Sequence, residues 1–269
     1  MTHEEIKCSG WNDLKDKIKS LGYAWIFRGQ SDATWELKTS IERWILSQQF
    51  GDSEFGETVL LGEYKKGASH YLRSSLELPK TTLEWFALMQ HYGAPTRLLD
   101  FTQSFYIACF FALDGALDKD REAAVWAFDY FGCKIKAIEI HNQFHSADKN
   151  HKPLVQGTDL ANEENFRRVF LNDPKVPNFI YPIVPYNQSE RLKIQQGIFL
   201  CPSTANQSFM EQLEAMGNCP KFVKKFTISN SFRHEAIRDL NLMNINNATL
   251  FTGLDGYSRS LRNCIYIEK

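Results

Sequence analysis

The sequence contains no continuous run of about 18 apolar residues, so it predicts no transmembrane helix. Its start, MTHEEIKCSG, lacks a basic stretch followed by an apolar run, so no signal peptide is expected. Neither sign of charge is in excess: 31 Lys and Arg stand against 32 Asp and Glu, for a net charge of −1. No global field draws such a chain to nucleic acid or to anionic lipid. Nucleic-acid binding would need a local patch, and the one small basic cluster, Lys221, Lys224 and Lys225, is explained as simply by a solvated face. The six cysteines, at 8, 109, 133, 201, 219 and 264, form no CxxC pair and no Cys/His set with zinc spacing. That usage fits a reducing compartment, and a cytoplasmic location is the expectation. Dinucleotide-loop, Walker, HExxH, GxSxG and calcium-loop patterns are all missing. His141 and His145 have a helical i, i+4 spacing but no third ligand in place, so no metal is expected.

What is present is an ordinary globular composition, with 43% hydrophobic and 23% charged residues in 269. The 20 phenylalanines imply a core of large flat side chains, or a site that stacks rings. Segment 1–22 predicts an N-terminal helix, with Trp11, Leu14, Ile18 and Leu21 at helical spacing and Gly22 as its stop. Residues 23–29 (YAWIFRG) read as a buried strand, and 41–50 as a helix with Ser40 as its cap. Further helices are expected within 55–76, at 82–92 and over 103–117, and strands at 96–101 and 123–129. Residues 141–178 are polar and read as a variable insertion or long loop with one short helix at 162–170. The prolines at 182 and 185 argue against a central strand at 179–185. Residues 191–201 (RLKIQQGIFLC) and 222–228 read as strands, and 232–242 as a helix. Helices and strands alternate without a strict βαβ rhythm. The expected fold is α+β: a single compact mixed domain, residues 1–269, with a central, mostly antiparallel sheet flanked by helices.

Three segments put polar residues in costly places. In Phe27-Arg28-Gly29-Gln30 an arginine ends an apolar strand, where it must be paired or bind a ligand. Gly29 would let a backbone or a ligand approach closely. The second segment runs Gln90-His91-Tyr92-Gly93-Ala94-Pro95-Thr96-Arg97-Leu98-Leu99-Asp100-Phe101-Thr102. Arg97 supplies a fixed cation, Asp100 orients it or acts on a substrate, and His91 and Tyr92 are candidates for proton transfer or stacking. Asp100 and Thr102 also fit as helix caps, and Arg28 as a structural ion pair. In the third segment, Arg191, Lys193, Gln195 and Gly197 would share one face of a strand, which a solvent-facing edge explains as well.

Together these segments resemble the FRG domain family, named for its Phe-Arg-Gly signature. The likeness runs through Phe27-Arg28-Gly29-Gln30 with Trp35 and Leu37, the 90–102 segment, the helix around 108–112, Gln196-Gly197-Ile198-Phe199 and Leu250–Gly256. Thr252 stands where the family more often carries proline. The resemblance implies a bacterial or phage-borne protein of the kind found among mobile-element and defence genes. It does not supply a reaction. A more distant similarity to arginine-type ADP-ribosyltransferases implies an arginine on an NAD phosphate, a role for Arg28, and a hydroxyl from Thr96 or Thr102. It also implies a glutamate on the third strand, where this chain has Gln195 and Gln196, with Glu190 upstream. A glutamine lacks the charge to stabilise an oxocarbenium ion. Either Asp100 fills that role, or Glu190 reaches in, or a nucleotide binds without turnover.

Three functions follow: an effector that consumes NAD, a sensor module that binds a nucleotide or a protein without chemistry, and a nucleic-acid enzyme, against which the near-neutral charge counts. All three use the same site. Asp100, His91, Arg97 and Glu190 are its candidate catalytic groups. Arg28, Gly29, Gln30, Tyr92, Thr96 and Gln195 are its candidate ligand contacts. NAD is the candidate substrate, the partner is a nucleotide or protein target, and no membrane is involved.

Overall fold

The structure is a computed structural model that describes residues 2–48, 52–71, 78–114, 121–149, 152–173 and 175–267. Seven strands among them form one sheet: β1 (Glu4–Cys8), β2 (Trp25–Gln30), β3 (Leu99–Thr102), β4 (Glu122–Asp129), β5 (Ile180–Ile183), β6 (Gly197–Pro202) and β7 (Val223–Ser229). The order across the sheet is β1-β7-β4-β2-β3-β6-β5. Every neighbouring pair is antiparallel except β1 and β7, which run parallel. The fold is α+β, a mixed sheet flanked by helices.

The described helices are α1 (Trp11–Lys19), α2 (Ser40–Gln48), α3 (Ser53–Tyr71), α4 (Thr82–His91), α5 (Phe105–Asp114), α6 (Tyr130–Phe144), α7 (Glu163–Phe170), α8 (Glu190–Ile194), α9 (Phe209–Ala215), α10 (Arg233–Leu242), α11 (Asn247–Leu250) and α12 (Leu254–Ile267). They cover the sheet on both faces. Ala123, Val125 and Ala127 of β4 pack with α1, α5 and α10, while Trp126 and Phe128 pack with α4, α6, α7 and α9. Burial on both sides is why β4 reads as a nearly unbroken apolar run. β5 lies at the edge of the sheet, the place where Pro182 costs no ladder bond that a neighbour needs.

Several local expectations are corrected. The N-terminal segment 1–22 is not all helix, because β1 precedes α1 and pairs with β7 from Glu4↔Lys224 to Cys8↔Ile228. The cap of α2 is Thr39, whose hydroxyl accepts from the Glu42 amide at 3.2 Å; the Ser40 hydroxyl turns instead to Thr96. Residues 191–201 are not one strand. The Ser189 side chain accepts from Leu192 N and starts α8, Gln196 turns the chain at φ 48°, and β6 begins only at Gly197. Segment 141–178 holds the end of α6 and all of α7, and it sends Leu154, Leu160, Phe166, Val169 and Phe170 into the core. The expected strand at 96–101 begins at Leu99. The end of the helix expected over 103–117 lies outside the described residues.

The sheet divides near its middle. β2 pairs with β4 over six residues, Trp25↔Asp129 to Gln30↔Ala124, but meets β3 only at Phe27↔Thr102. β3 instead follows β6 over four pairs, Leu99↔Leu200 to Thr102↔Gly197. Beyond the Phe27–Thr102 bridge, β2 and β3 part.

Candidate functional site

The mouth of that division is a cleft of about 1200 Å³. Six of the residues expected at a site line it: Arg28, Gly29, Gln30, His91, Asp100 and Gln195. The other four do not. Tyr92 is exposed beyond the end of α4, Thr96 is buried, Glu190 is exposed at the start of α8, and Arg97 is enclosed in the core.

Arg28 sits on the face of β2 opposite the Phe27 and Gly29 positions, so its side chain leaves the α5 side of the sheet. Its Nη1 donates to the backbone carbonyl of Asp100 at 2.7 Å and so spans the division between β2 and β3. Its Nε is shielded from solvent and has no hydrogen-bond partner. Burial pushes this guanidinium below its ordinary pKa; the Asp100 charge pulls it back, and Arg43 pushes it down further. A buried donor on a cation with no acceptor is expensive, and an incoming anion would remove that cost.

Gly29 serves the fold before it serves a ligand. A Cβ there would lie 2.0 Å from Ala108 O and 2.5 Å from Ala112 N, so α5 rests on the strand where only hydrogen fits. Gln30 is committed as well: its Oε1 accepts from Trp126 Nε1 at 2.7 Å.

Asp100 is exposed in the cleft, and Gln90 holds its carboxylate. Gln90 Nε2 donates to Asp100 Oδ2 at 2.6 Å. The Asp100 carboxylate can only accept, so it takes the amide nitrogen, and Thr96 Oγ1, which accepts from Leu98 N, donates to Gln90 Oε1 at 2.7 Å. Thr96 thus acts on the cleft through Gln90. His91 closes α4 beside Asp100. Burial, then Arg191, hold its imidazole below the usual histidine pKa, and Asp100 opposes them. Burial and Arg191 both favour its neutral form, which has one nitrogen free to accept a proton.

The Arg97 guanidinium is 1% exposed and satisfied on all sides. It bridges Glu57 of α3 through Nε at 2.7 Å and Nη2 at 2.5 Å, and its Nη1 donates to Phe170 O and Ser203 O at 2.9 and 3.0 Å. Burial alone would lower its pKa, but the Glu57 carboxylate more than offsets this. The expected pairing of Arg97 with Asp100 is replaced by Arg97 with Glu57.

The cleft also holds residues that were not among the candidate catalytic groups and ligand contacts. Arg43 and Lys38 come from α2 and the chain before it, and Arg191 from α8. Trp35 lines the cleft while 52% exposed, a flat apolar surface in water at its rim. The carboxylates of Glu36 and Glu84 are engaged: Glu36 pairs with Lys38 at 3.2 Å, and Glu84 caps α4 and holds Asn187. Thr102 also lines the cleft, donating to Gln195 O at 2.7 Å, and Gln195 Nε2 donates to Leu250 O at 3.0 Å. An exposed Trp near a strand-end arginine was the one sequence signal that could have added Trp35. Arg191 stands in the polar stripe of the third segment, whereas nothing local marks Arg43.

The cleft residues Arg28, His91 and Asp100 all fall within 23–121, the stretch matched by the model of the FRG domain family. The chain contains an FRG domain. No curated protein and no solved structure matches the chain. The domain's Phe-Arg-Gly signature supplies Arg28, which reaches across the divided sheet, and Gly29, on which α5 packs. Among the described residues no group of three or more His, Cys, Asp or Glu side chains is placed to hold a metal ion, and no helix is long and apolar enough to cross a membrane.

Proposed function

We propose that the cleft binds a phosphate-bearing nucleotide, with NAD as the first candidate, and that the protein consumes it as an effector. The observation that carries this reading is Arg28: a guanidinium in a large cleft with a shielded Nε that lacks an acceptor. Its planar fork suits two oxygens of one phosphate. Trp35 offers a stacking surface. In turnover, the bond between the ribose and nicotinamide breaks, and its electron pair leaves with the nicotinamide. The Asp100 carboxylate, aimed by Gln90, stabilises the cationic ribose. Water or a side chain of a target protein then forms the new bond and gives up its proton to neutral His91.

A second reading, a sensor without chemistry, draws on a different observation. The position that the ADP-ribosyltransferase likeness reserves for a glutamate carries Gln195, whose amide is tied to Leu250 O, and Glu190 does not line the cleft. One experiment separates the two. The pure protein is incubated with NAD, bound ligand is measured by calorimetry and released nicotinamide by chromatography, with Arg28→Ala and Arg28→Lys alongside. Binding with release, lost by at least about tenfold in both variants, supports the effector. Binding without release moves the protein to the sensor reading. No binding of NAD or any other nucleotide by the folded wild type rejects the effector and leaves a sensor only if its ligand is a protein.

A further inference from the structure

Two guanidinium groups well outside the matched FRG segment share one aromatic ring, and one of them lines the cleft. Arg191, from α8, lines the cleft with its guanidinium carbon 4.8 Å from the centre of the Phe251 ring. Arg259, exposed on α12, sits 5.2 Å from the centre of the same ring. Phe251 follows α11 and is braced by Phe111, a cleft residue whose ring lies 6.0 Å away and nearly perpendicular. Gln195 ties the neighbouring Leu250 carbonyl to the cleft wall. One aromatic ring thus carries a cation contact from each arginine, and no carboxylate forms a salt bridge with either among the described residues.

Charge arithmetic shows what is missing. The Asp100 charge acts on Arg28, which Arg43 also acts on, and on Arg191, which Arg259 also acts on. Burial and Arg259 both press the Arg191 guanidinium below its ordinary pKa, against the pull of Asp100. Asp100 is already engaged with Gln90 and carries one charge for the three cleft arginines, Arg28, Arg43 and Arg191. Of the other cleft carboxylates, Glu36 pairs with Lys38, and Glu84 accepts from backbone amides and Asn187. Like charges held together without a counter-charge are a cost that bound anions would relieve.

We infer that the cleft has two anion subsites, one at Arg28 and Arg43 and one at Arg191 and Arg259 on Phe251, and that it selects ligands with more than one phosphate. Its ligand class is therefore a nucleoside diphosphate or a dinucleotide joined by a diphosphate, in preference to a nucleoside monophosphate. The first subsite belongs to the FRG-matched segment. The second is built by residues 191–259, so the carboxyl-terminal third of the chain sets the selection. This inference rests on the nucleotide reading above and deepens it.

The test compares AMP, ADP and NAD by calorimetry on the wild type, Arg28→Ala, Arg259→Ala and Phe251→Leu. Arg259 is exposed, so its removal leaves the fold intact, and leucine keeps apolar bulk where Phe251 packs. ADP and NAD should bind the wild type at least about tenfold more tightly than AMP. Arg259→Ala and Phe251→Leu should erase most of that advantage while leaving AMP affinity within about twofold, whereas Arg28→Ala should weaken all three ligands. Equal loss for AMP and ADP in Arg259→Ala would show a diffuse field with no second subsite and overturn the inference. So would wild-type protein that binds AMP as tightly as ADP. In both cases nucleotide binding itself still stands. If no nucleotide binds the folded wild type, the functional reading falls and this inference falls with it.

Discussion

Replacing Glu57 by glutamine tests whether Arg97 serves the fold or a ligand. The change keeps the size of the side chain and an oxygen that can accept from Arg97, but removes the charge. Arg97 would be left fully buried with two backbone carbonyls, Phe170 O and Ser203 O, and no carboxylate bonded to it. Removing one partner of a buried pair costs about 3–5 kcal/mol, because the remaining charge cannot be resolvated. Against a total stability of about 5–15 kcal/mol, that is a large fraction. In a chain of this size each kcal/mol lowers Tm by about 2–4 °C, so a fall on the order of 10 °C is expected. The Arg97→Met, Glu57→Leu double variant removes both charges but orphans the Phe170 and Ser203 carbonyls and the residue 97 amide, at about 1–3 kcal/mol each. Its loss should be smaller than the sum of the two single losses, and the coupling should be of the same order as the single Glu57 effect. Urea and thermal denaturation measure all of this. The reasoning is refuted if Glu57→Gln melts within about 2 °C of the wild type. It is equally refuted if Arg97→Lys folds with full stability yet loses nucleotide binding, which would return Arg97 to the site.

Two further predictions follow from the cleft. Gly29→Ala places a methyl group against the backbone of α5, which cannot yield as a side-chain tip would, so a loss of about 1–3 kcal/mol or more is expected in thermal denaturation; an unchanged Tm would contradict the packing of β2 on α5. His91 should titrate below its unfolded value of 6.5. Its neutral form is then favoured by folding, so this group's contribution to stability is intact above pH 6.5 and is lost as pH falls through the folded pKa. Arg191→Ala removes one of the lowering charges and should move the His91 resonance in an NMR titration upward; no movement, or a downward one, would separate the two side chains.

Much of the fold was legible because its elements obey simple patterns. The apolar run of β4, the turn after α4 and the short helix α7 each follow from local spacing. The failures have local causes too. In β1, EEIKC is mostly polar, and its pairing partner β7 lies more than 200 residues away in the chain. In 191–201, the apolar positions Leu192, Ile194 and Ile198 alternate as in a strand. The Ser189 cap and the left-handed Gln196 override that alternation with one turn of helix. Arg191 therefore reaches the cleft from a helix, where a strand would have set it in a polar stripe.

Arg28 and Arg97 show where sequence reasoning about the site stops. Each is a single arginine among apolar neighbours next to a strand, and each called for a partner. What separates them is Glu57, 40 residues before Arg97, brought in by α3 to form a closed pair inside the core. No spacing rule connects those two positions. Arg28 receives no such carboxylate. The single bridge between β2 and β3 leaves its guanidinium to span the opening with one bond to a backbone carbonyl, and Asp100 turns its own carboxylate to Gln90. An arginine that ends in a matched carboxylate has its counter-charge supplied by folding. One left with a shielded, unpaired Nε in an open cleft does not, and that deficit is the strongest physical reason to look for an anionic ligand there.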